Sequence, residues 1–172
     1  MAVDDSGMVE LDNVDRGILH ELQLDARNRT AQEIADKVDV SASTVRNRIN
    51  ELESDGIIEG YHPKIDYEKA NLPLQILFVC SAPPTDRSEM VEQVLNIRGV
   101  VDVRETLTGR RNLFVEAVGV NTSDTVRMTD AMHEIGLSIE SSELLRQRRV
   151  QPFNHFFFTD PYDDGQGDDE GE

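Results

Sequence analysis

The sequence predicts an α+β fold, with three short helices and a wing followed by a ferredoxin-like β-α-β-β-α-β domain. Apolar residues recur at helical spacing three times within residues 1–56. From residue 74 onward, apolar runs of strand length alternate with two further helical patterns. The length of 172 residues suits two small domains. The single cysteine, the absence of an apolar run long enough to span a bilayer, and a start that is not a signal peptide predict a cytoplasmic protein.

Composition and turn residues divide the chain into five segments. The seven acids and no base of DPYDDGQGDDEGE, residues 160–172, predict a disordered tail, because such a stretch buries too little apolar surface to order itself. The predicted segments are a flexible N-terminus (1–10), the trihelical domain with its wing (11–65), a linker (66–73), the ferredoxin-like domain (74–158) and the acidic tail (159–172).

The first domain is predicted from three amphipathic patterns with capping residues. Helix 1 runs from Val14 to Leu24 after a capping Asp12. Helix 2 opens with TAQE, in which Thr and Glu are three residues apart, the spacing of a capping box. Helix 3 begins at Ser41, ends near Ser54, and is followed by a glycine. The next segment, IIEGYHPKID, predicts a small β-hairpin, or wing.

The second domain is predicted from alternating strand and helix patterns. LQILFVCSAP predicts the first strand and SEMVEQVLNI a helix. VVDVRETLT and NLFVEAVGV predict two strands joined by a short turn that contains Gly109, Arg110 and Arg111. SDTVRMTDAMHEIG predicts a second helix closed by Gly136, and LSIESSELLRQRRV a last strand. We expect both helices on one face of a four-stranded antiparallel sheet.

Helix 3 carries the residues that indicate function. At 100° per residue, Ala42, Val45, Ile49 and Leu52 face inward. The outward face and its shoulders hold no carboxylate before Glu51, although the chain has a formal charge of −17. Arginine and asparagine read base edges, and a carboxylate there would be repelled by phosphate. A solvated face of a protein–protein interaction domain is the alternative. The outward residues are Ser43, Thr44, Arg46, Asn47, Arg48 and Asn50.

The spacing between helices 2 and 3 matches a helix-turn-helix. Ala35 supplies the small residue where the helices cross, and a tight turn follows at Asp39 and Val40. Aspartate replaces the glycine common at this turn, but it tolerates a positive φ. We therefore predict double-stranded DNA as the partner. The predicted base contacts are Arg46, Asn47 and Asn50, and the predicted phosphate or groove-wall contacts are Ser43, Thr44, Arg48, Arg29 and Thr30.

Two motifs resemble the Lrp/AsnC family of transcriptional regulators. They are the L-D-x-x-D-x-x-I-L-x-x-L opening and R-x-x-x-L-E-x-x-G-x-I-x-G-Y, and the resemblance covers residues 11 to about 153. The resemblance implies a C-terminal RAM domain, a homodimer that in many members assembles into tetramers or octamers, and a pseudo-palindromic operator. The second-domain sheet is then the expected interface. The aromatic stretch Phe153 to Phe158 either helps to cover this sheet or is ordinary core.

The same resemblance places a small-molecule effector near the turn between the second and third strands. The family pattern there is Gly-x-x-Asp, whereas this chain has asparagine at the acidic position, which cannot pair with a ligand ammonium. Either there is no amino-acid effector, or a more anionic ligand binds through the arginines, with Arg104 contributing; the arginines are otherwise ordinary surface residues. The predicted effector residues are Gly109, Arg110, Arg111 and Asn112.

Acidic residues greatly outnumber basic residues in this chain. The chain has 34 acids against 14 arginines and 3 lysines, which resembles proteins of salt-accumulating halophiles; an ordinary acidic protein is the alternative.

Siroheme decarboxylases share the two-domain architecture, but they need clustered histidine and arginine, and the wing offers only His62 and Lys64. We expect no catalytic residue, no metal, no cofactor and no membrane partner.

Overall fold

A computed structural model describes residues 10–153 and Phe156. The chain forms two compact units. The first contains the described residues up to His62 together with those from Arg149 onward, and the second is Pro63–Arg148. The predicted acidic tail and all but the last residue of the predicted flexible N-terminus lie outside the described residues. No helix in the described part of the chain is long and apolar enough to cross a membrane.

Three helices build the first unit: α1 (Asn13–Asp25), α2 (Ala31–Val38) and α3 (Ala42–Ser54). The predicted caps are confirmed, because Asp12 and Thr30 each form a capping box and Ser41 accepts a hydrogen bond from the Thr44 N–H. The three helices bury one apolar cluster. Its members are Ile18, Leu19, Ile34, Ala35, Val38, Val45 and Leu52.

The turn between α2 and α3 has the predicted left-handed residue. Asp39 has φ 52° and ψ 50°, and its N–H donates to the Ala35 carbonyl. The Val40 N–H donates to the same carbonyl at 3.2 Å. Ala35 is 0% exposed, so a larger side chain would push the two helices apart. This turn sets the angle at which α3 leaves α2.

The segment after α3 folds back on the helix, and the predicted β-hairpin is not formed. Gly56 has φ +72°, and the N–H groups of Ile57 and Ile58 both donate to the Leu52 carbonyl, at 2.9 and 3.0 Å. The Tyr61 hydroxyl donates to Glu53 Oε1 at 2.9 Å. Partial burial and this hydrogen bond raise the pKa of Tyr61 to about 12. Residues 57–66 contain no strand, since their first N–H groups are already used by α3 and Pro63 has none to donate.

The second unit has the predicted β-α-β-β-α-β order. It contains one antiparallel sheet with the strand order β2-β3-β1-β4. The elements are β1 (Leu74–Ser81), α4 (Arg87–Leu95), β2 (Val100–Glu105), β3 (Leu113–Gly119), α5 (Thr122–Ile135) and β4 (Ser138–Leu144).

Strand β4 is shorter than the sequence predicts. The prediction extends it to Val150, whereas it ends at Leu144, which is opposite Ile76. Its neighbour β1 begins at Leu74, so residues after Leu145 have no strand to pair with. The predicted end is therefore wrong because the length of β1 limits the length of β4.

Both helices lie on one face of the sheet, as predicted. Alternate side chains of β1, including Phe78 and Cys80, contact the buried residues Val94, Met128 and Met132 of α4 and α5. Burial raises the pKa of the Cys80 thiol to about 11, which makes it a poor nucleophile. The cysteine is therefore a core residue.

Of the two placements predicted for the aromatic stretch, the structure shows ordinary core for Phe156. Phe156 packs against the trihelical core of the first unit, not against the sheet. The ring of Phe153 meets that of Phe156 edge-on at 5.0 Å, and the Phe153 N–H donates to Gln23 Oε1 at 3.1 Å. The apolar surface left open by three short helices explains this placement. The other phenylalanines of the stretch lie outside the described residues.

Candidate nucleic-acid interface

The outward face of α3 brings together most of the residues predicted to bind DNA. Buried Val45 and Leu52 hold the opposite face of α3 against the trihelical core. This fixes which side chains face solvent. Ser43, Arg46, Asn47 and Asn50 are exposed, and Thr44 is half-buried beside them.

The N-terminal turn of α3 is rich in hydroxyl groups. Ser41 Oγ lies 2.8 Å from Ser43 Oγ and 2.8 Å from Thr44 Oγ1, and it accepts the Thr44 N–H at 3.1 Å. The first turn contains no acidic residue. Because the N-terminus of a helix carries partial positive charge and free N–H groups, this turn can accept a phosphate.

Arg48 differs from the other predicted contacts because it faces α1. Its Nη2 lies 2.9 Å from Asp12 Oδ2, and its Nη1 lies 3.6 Å from Asp15 Oδ2 and 3.8 Å from Glu51 Oε2. Partial burial raises the pKa of the Asp12 carboxyl, but the Asp15 N–H and the Arg48 charge outweigh it, so this pKa lies below its ordinary value. For Asp15, burial dominates and the pKa is raised.

Arg29 and Thr30 lie on the connection between α1 and α2, where each has a carboxylate partner. Arg29 Nε is 3.0 Å from Glu21 Oε2, and Lys37 Nζ is 2.7 Å from the other oxygen of Glu21. The Thr30 N–H and hydroxyl donate to Glu33 Oε2 at 2.8 and 2.9 Å. These hydrogen bonds lower the pKa of Glu33. The carboxylate charges near these residues disfavour phosphate, so their predicted role has less support than that of the α3 residues.

Two buried acids of the first unit escaped sequence analysis. Asp15 is 0% exposed and Glu21 is 7% exposed. They lie three residues before and three residues after Ile18, which places both on the apolar stripe of α1. An acid on such a stripe requires a cationic partner, and this signal could have indicated the contacts with Arg48, Arg29 and Lys37.

The predicted effector residues are used mainly to build the turn between β2 and β3. Gly109 has φ +100°, and exposed Arg110 lies 3.7 Å from Glu140. Asn112 is 5% exposed, and its amide accepts the Ala82 N–H and donates to the Ala82 carbonyl, both at 2.9 Å. The asparagine at the acidic position of the family pattern therefore closes the turn against the end of β1.

Arg104 is engaged on β2 rather than free for a ligand. Its Nε lies 2.8 Å from Asp102 Oδ2, and its Nη2 lies 3.5 Å from Glu116 Oε2. Glu116 is buried, so removing the guanidinium would leave a carboxylate without this partner.

Replacing Asn112 with alanine should destabilise the second unit. The change leaves the buried N–H and carbonyl of Ala82 without partners, which costs about 2–4 kcal/mol of unfolding free energy. Urea unfolding of Asn112→Ala measures the loss. The matched control is exposed Asn96→Ala, for which we expect a change of about 0.5 kcal/mol or less. Equal stability of the two variants would show that Asn112 is not structural.

Comparison with known proteins agrees with this geometry. Residues 11–59 match the family model described as winged helix-turn-helix DNA-binding. An HTH-type transcriptional regulator of Pyrococcus horikoshii is 34% identical over 116 residues, which cover 67% of this chain and 72% of the relative. The chain belongs to the Lrp/AsnC family of HTH-type transcriptional regulators.

Solved structures share the whole architecture of this regulator. The Escherichia coli AsnC structure has a TM-score of 0.65 at 21% identity, covering 84% of this chain and 98% of AsnC. A regulator from Neisseria meningitidis, solved in complex with L-Met, has a TM-score of 0.69 at 24% identity and covers 86% of this chain and 100% of that chain. The predicted two-domain fold is therefore confirmed.

Proposed function

We propose that this regulator binds a pseudo-palindromic operator sequence-specifically through α3, as a homodimer or a larger assembly, in the cytoplasm. The outward face of α3, which has no carboxylate before Glu51 on a chain of formal charge −17, carries the proposal. Arg46, Asn47 and Asn50 contact bases, and Ser43 and Thr44 contact phosphate. Arg29 and Thr30 are further candidates for phosphate contact, with less support because each already has a carboxylate partner. The protein is not an enzyme, and no comparison supports the siroheme decarboxylase alternative.

The dimer follows from the small reach of one recognition helix. A single α3 contacts few base pairs, and two copies related by a two-fold axis read an inverted repeat. The sheet face opposite α4 and α5 includes Leu77, Phe114 and Val118, which alternate with the core-facing residues of β1 and β3. We infer that this face joins two protomers.

The stoichiometry of the DNA complex tests this proposal. Analytical ultracentrifugation of the protein with a duplex containing one inverted repeat should give an even number of protomers per duplex. A footprint centred on the two-fold axis should accompany it. One protomer on a single half-site would contradict the dimeric assembly.

The effector is proposed to be anionic, if one binds at the turn between β2 and β3. The Neisseria regulator was solved with L-Met, but here Asn112 has both sides of its amide engaged by Ala82. Exposed Arg110 and Arg111 are the groups left to attract a ligand, and they attract anions.

Zwitterionic amino acids should therefore stabilise the protein very little. We expect methionine or leucine at millimolar concentration to shift the melting temperature by less than about 1 °C, because a ligand stabilises the folded state only when its concentration is comparable to or above its Kd. Differential scanning fluorimetry measures the shift, with glycine as the control. A rise of several degrees with either amino acid would overturn the expectation.

DNA binding should depend on salt much less than is usual. The first 68 residues have a formal charge of −9, from 16 acidic and 7 basic side chains. Carboxylates close to phosphates would recruit cations on binding and offset the counterions that arginine releases. Binding measured by fluorescence anisotropy between about 0.2 and 2 M KCl should show a shallow or reversed slope. A log–log slope near about −6, the ordinary order for several phosphate contacts, would contradict this.

A further inference from the structure

We infer that Arg48 is a positioning residue, which fixes the orientation of α3 through the carboxylates of Asp12 and Asp15 and does not contact DNA phosphate. The inference rests on the proposed function of α3 as the DNA-reading helix. It reassigns a residue that the sequence places among the phosphate contacts.

The contacts of Arg48 join two helices that are distant in sequence. Asp12 is the N-cap of α1 and Asp15 completes its capping box, with the Asp15 N–H donating to Asp12 Oδ1 at 2.8 Å and the Asp12 N–H donating to Asp15 Oδ2 at 3.2 Å. These mutual bonds hold both carboxylates in place. The Arg48 guanidinium then binds the two acids from α3, 36 residues further along the chain for Asp12.

Withdrawal of Arg48 toward a phosphate would be costly. Asp15 is 0% exposed, and its Oδ1 has no hydrogen-bond partner among the described residues. Asp15 forms an ion pair with Arg48, whose Nη1 lies 3.6 Å from Asp15 Oδ2. Removing it would leave a buried carboxylate without its compensating charge. Arg48 therefore keeps its ion pairs with Asp12 and Asp15 of α1 when the regulator binds DNA.

The orientation of α3 matters because its neighbours on the helix read bases. Arg46, Asn47 and Asn50 lie within two residues of Arg48. Side-chain tips lie at a radius of about 5–6 Å from a helix axis, so a rotation of roughly 10° moves them by about 1 Å. Hydrogen bonds to base edges tolerate less than that. Loss of the ion pairs would thus weaken specific binding without removing a DNA contact.

Replacing the two carboxylates with amides of the same shape distinguishes a positioning role from a phosphate contact, because the two roles predict opposite changes in the affinity for specific DNA. Asparagine is about as good a helix cap as aspartate. The double variant Asp12→Asn/Asp15→Asn therefore keeps the capping geometry and removes only the two charges. If Arg48 positions α3, the double variant binds specific DNA about tenfold more weakly, although two negative charges are gone. If Arg48 contacts phosphate, the double variant binds more tightly, because repulsion falls and Arg48 is freed.

The assay is fluorescence anisotropy on the tightest-binding genomic fragment and on a scrambled duplex of equal length, at several KCl concentrations below the melting temperature of every variant. Arg48→Gln should weaken binding to the fragment about tenfold, leave the scrambled duplex unchanged and keep the salt slope. A slope change of about 0.9 would identify a phosphate contact and overturn the inference. Arg48→Lys, which retains the charge, should recover part of the loss.

A matched control removes a carboxylate from elsewhere in the same unit. Asp36→Asn on α2 loses an exposed charge whose partner is Gln32, and it should leave specific binding unchanged or slightly tighter. Failure of the wild type to distinguish the fragment from the scrambled duplex would refute the proposed function itself. Specific binding by the wild type together with tighter binding by the double variant would refute only the positioning role.

Discussion

Arg46→Ala is expected to weaken sequence-specific DNA binding strongly. Arg46 is exposed on α3, beside Ser43, Asn47 and Asn50 of the outward face. A bidentate contact from arginine to guanine contributes about 1–3 kcal/mol of discrimination. Since both protomers of a dimer lose the contact, specific binding should weaken by about 2–6 kcal/mol, or more than roughly thirtyfold. Fluorescence anisotropy on an operator duplex measures the loss.

A second arginine separates this effect from a general loss of positive charge. Arg98 is an exposed arginine of the second unit, and Arg98→Ala removes the same charge far along the chain from α3. It should leave specific affinity within about twofold of wild type. If Arg46→Ala and Arg98→Ala behave alike, α3 does not read the operator.

Gly99→Ala is expected to destabilise the second unit strongly. Gly99 has φ +106°, and an added Cβ would lie 2.7 Å from the Val118 carbonyl oxygen and 2.9 Å from Met128 Sδ. The same glycine accepts a hydrogen bond from the Val118 N–H at 2.7 Å, so the backbone cannot move apart without breaking it. The left-handed conformation costs about 1–2 kcal/mol and the overpacking about 1–3 kcal/mol, which gives about 2–5 kcal/mol in urea unfolding.

Gly109→Ala is the control for backbone strain alone. Gly109 has φ +100°, but the nearest atom to its added Cβ would be the Arg111 carbonyl oxygen at 4.0 Å. This variant should lose only the conformational part, about 1–2 kcal/mol. Equal losses for the two variants would show that close packing at Gly99 contributes nothing.

Local patterns were sufficient to predict most of the fold. Capping boxes at Asp12 and Thr30 and the alternation of apolar residues in β1 are signals within a few neighbouring residues, and the structure confirms them. The predicted end of β4 failed because it depends on distant residues: it is set by the length of β1. The sequence left two placements open for Phe156, and only the packed structure decides for the core of α1–α3.

The candidate site likewise contains features that local periodicity predicts and features that only long-range packing decides. The outward set on α3 follows from helical periodicity, so the exposure of Arg46, Asn47 and Asn50 could be predicted from the sequence. The partners of Arg48 could not be, because Asp12 and Asp15 meet it only after α1 and α3 have packed together. Likewise, periodicity shows that Asn112 follows a turn, but the pairing of β1 with β3 decides that its amide reaches Ala82.

The central claim is that α3 reads a specific inverted repeat, and selection of genomic DNA by the protein tests it most directly. Purified wild type is incubated with fragmented genomic DNA of the source organism in about 2 M KCl, and the bound fragments are sequenced. We predict discrete enriched sites that share an inverted repeat. Uniform recovery of fragments, without a common sequence, would contradict the claim.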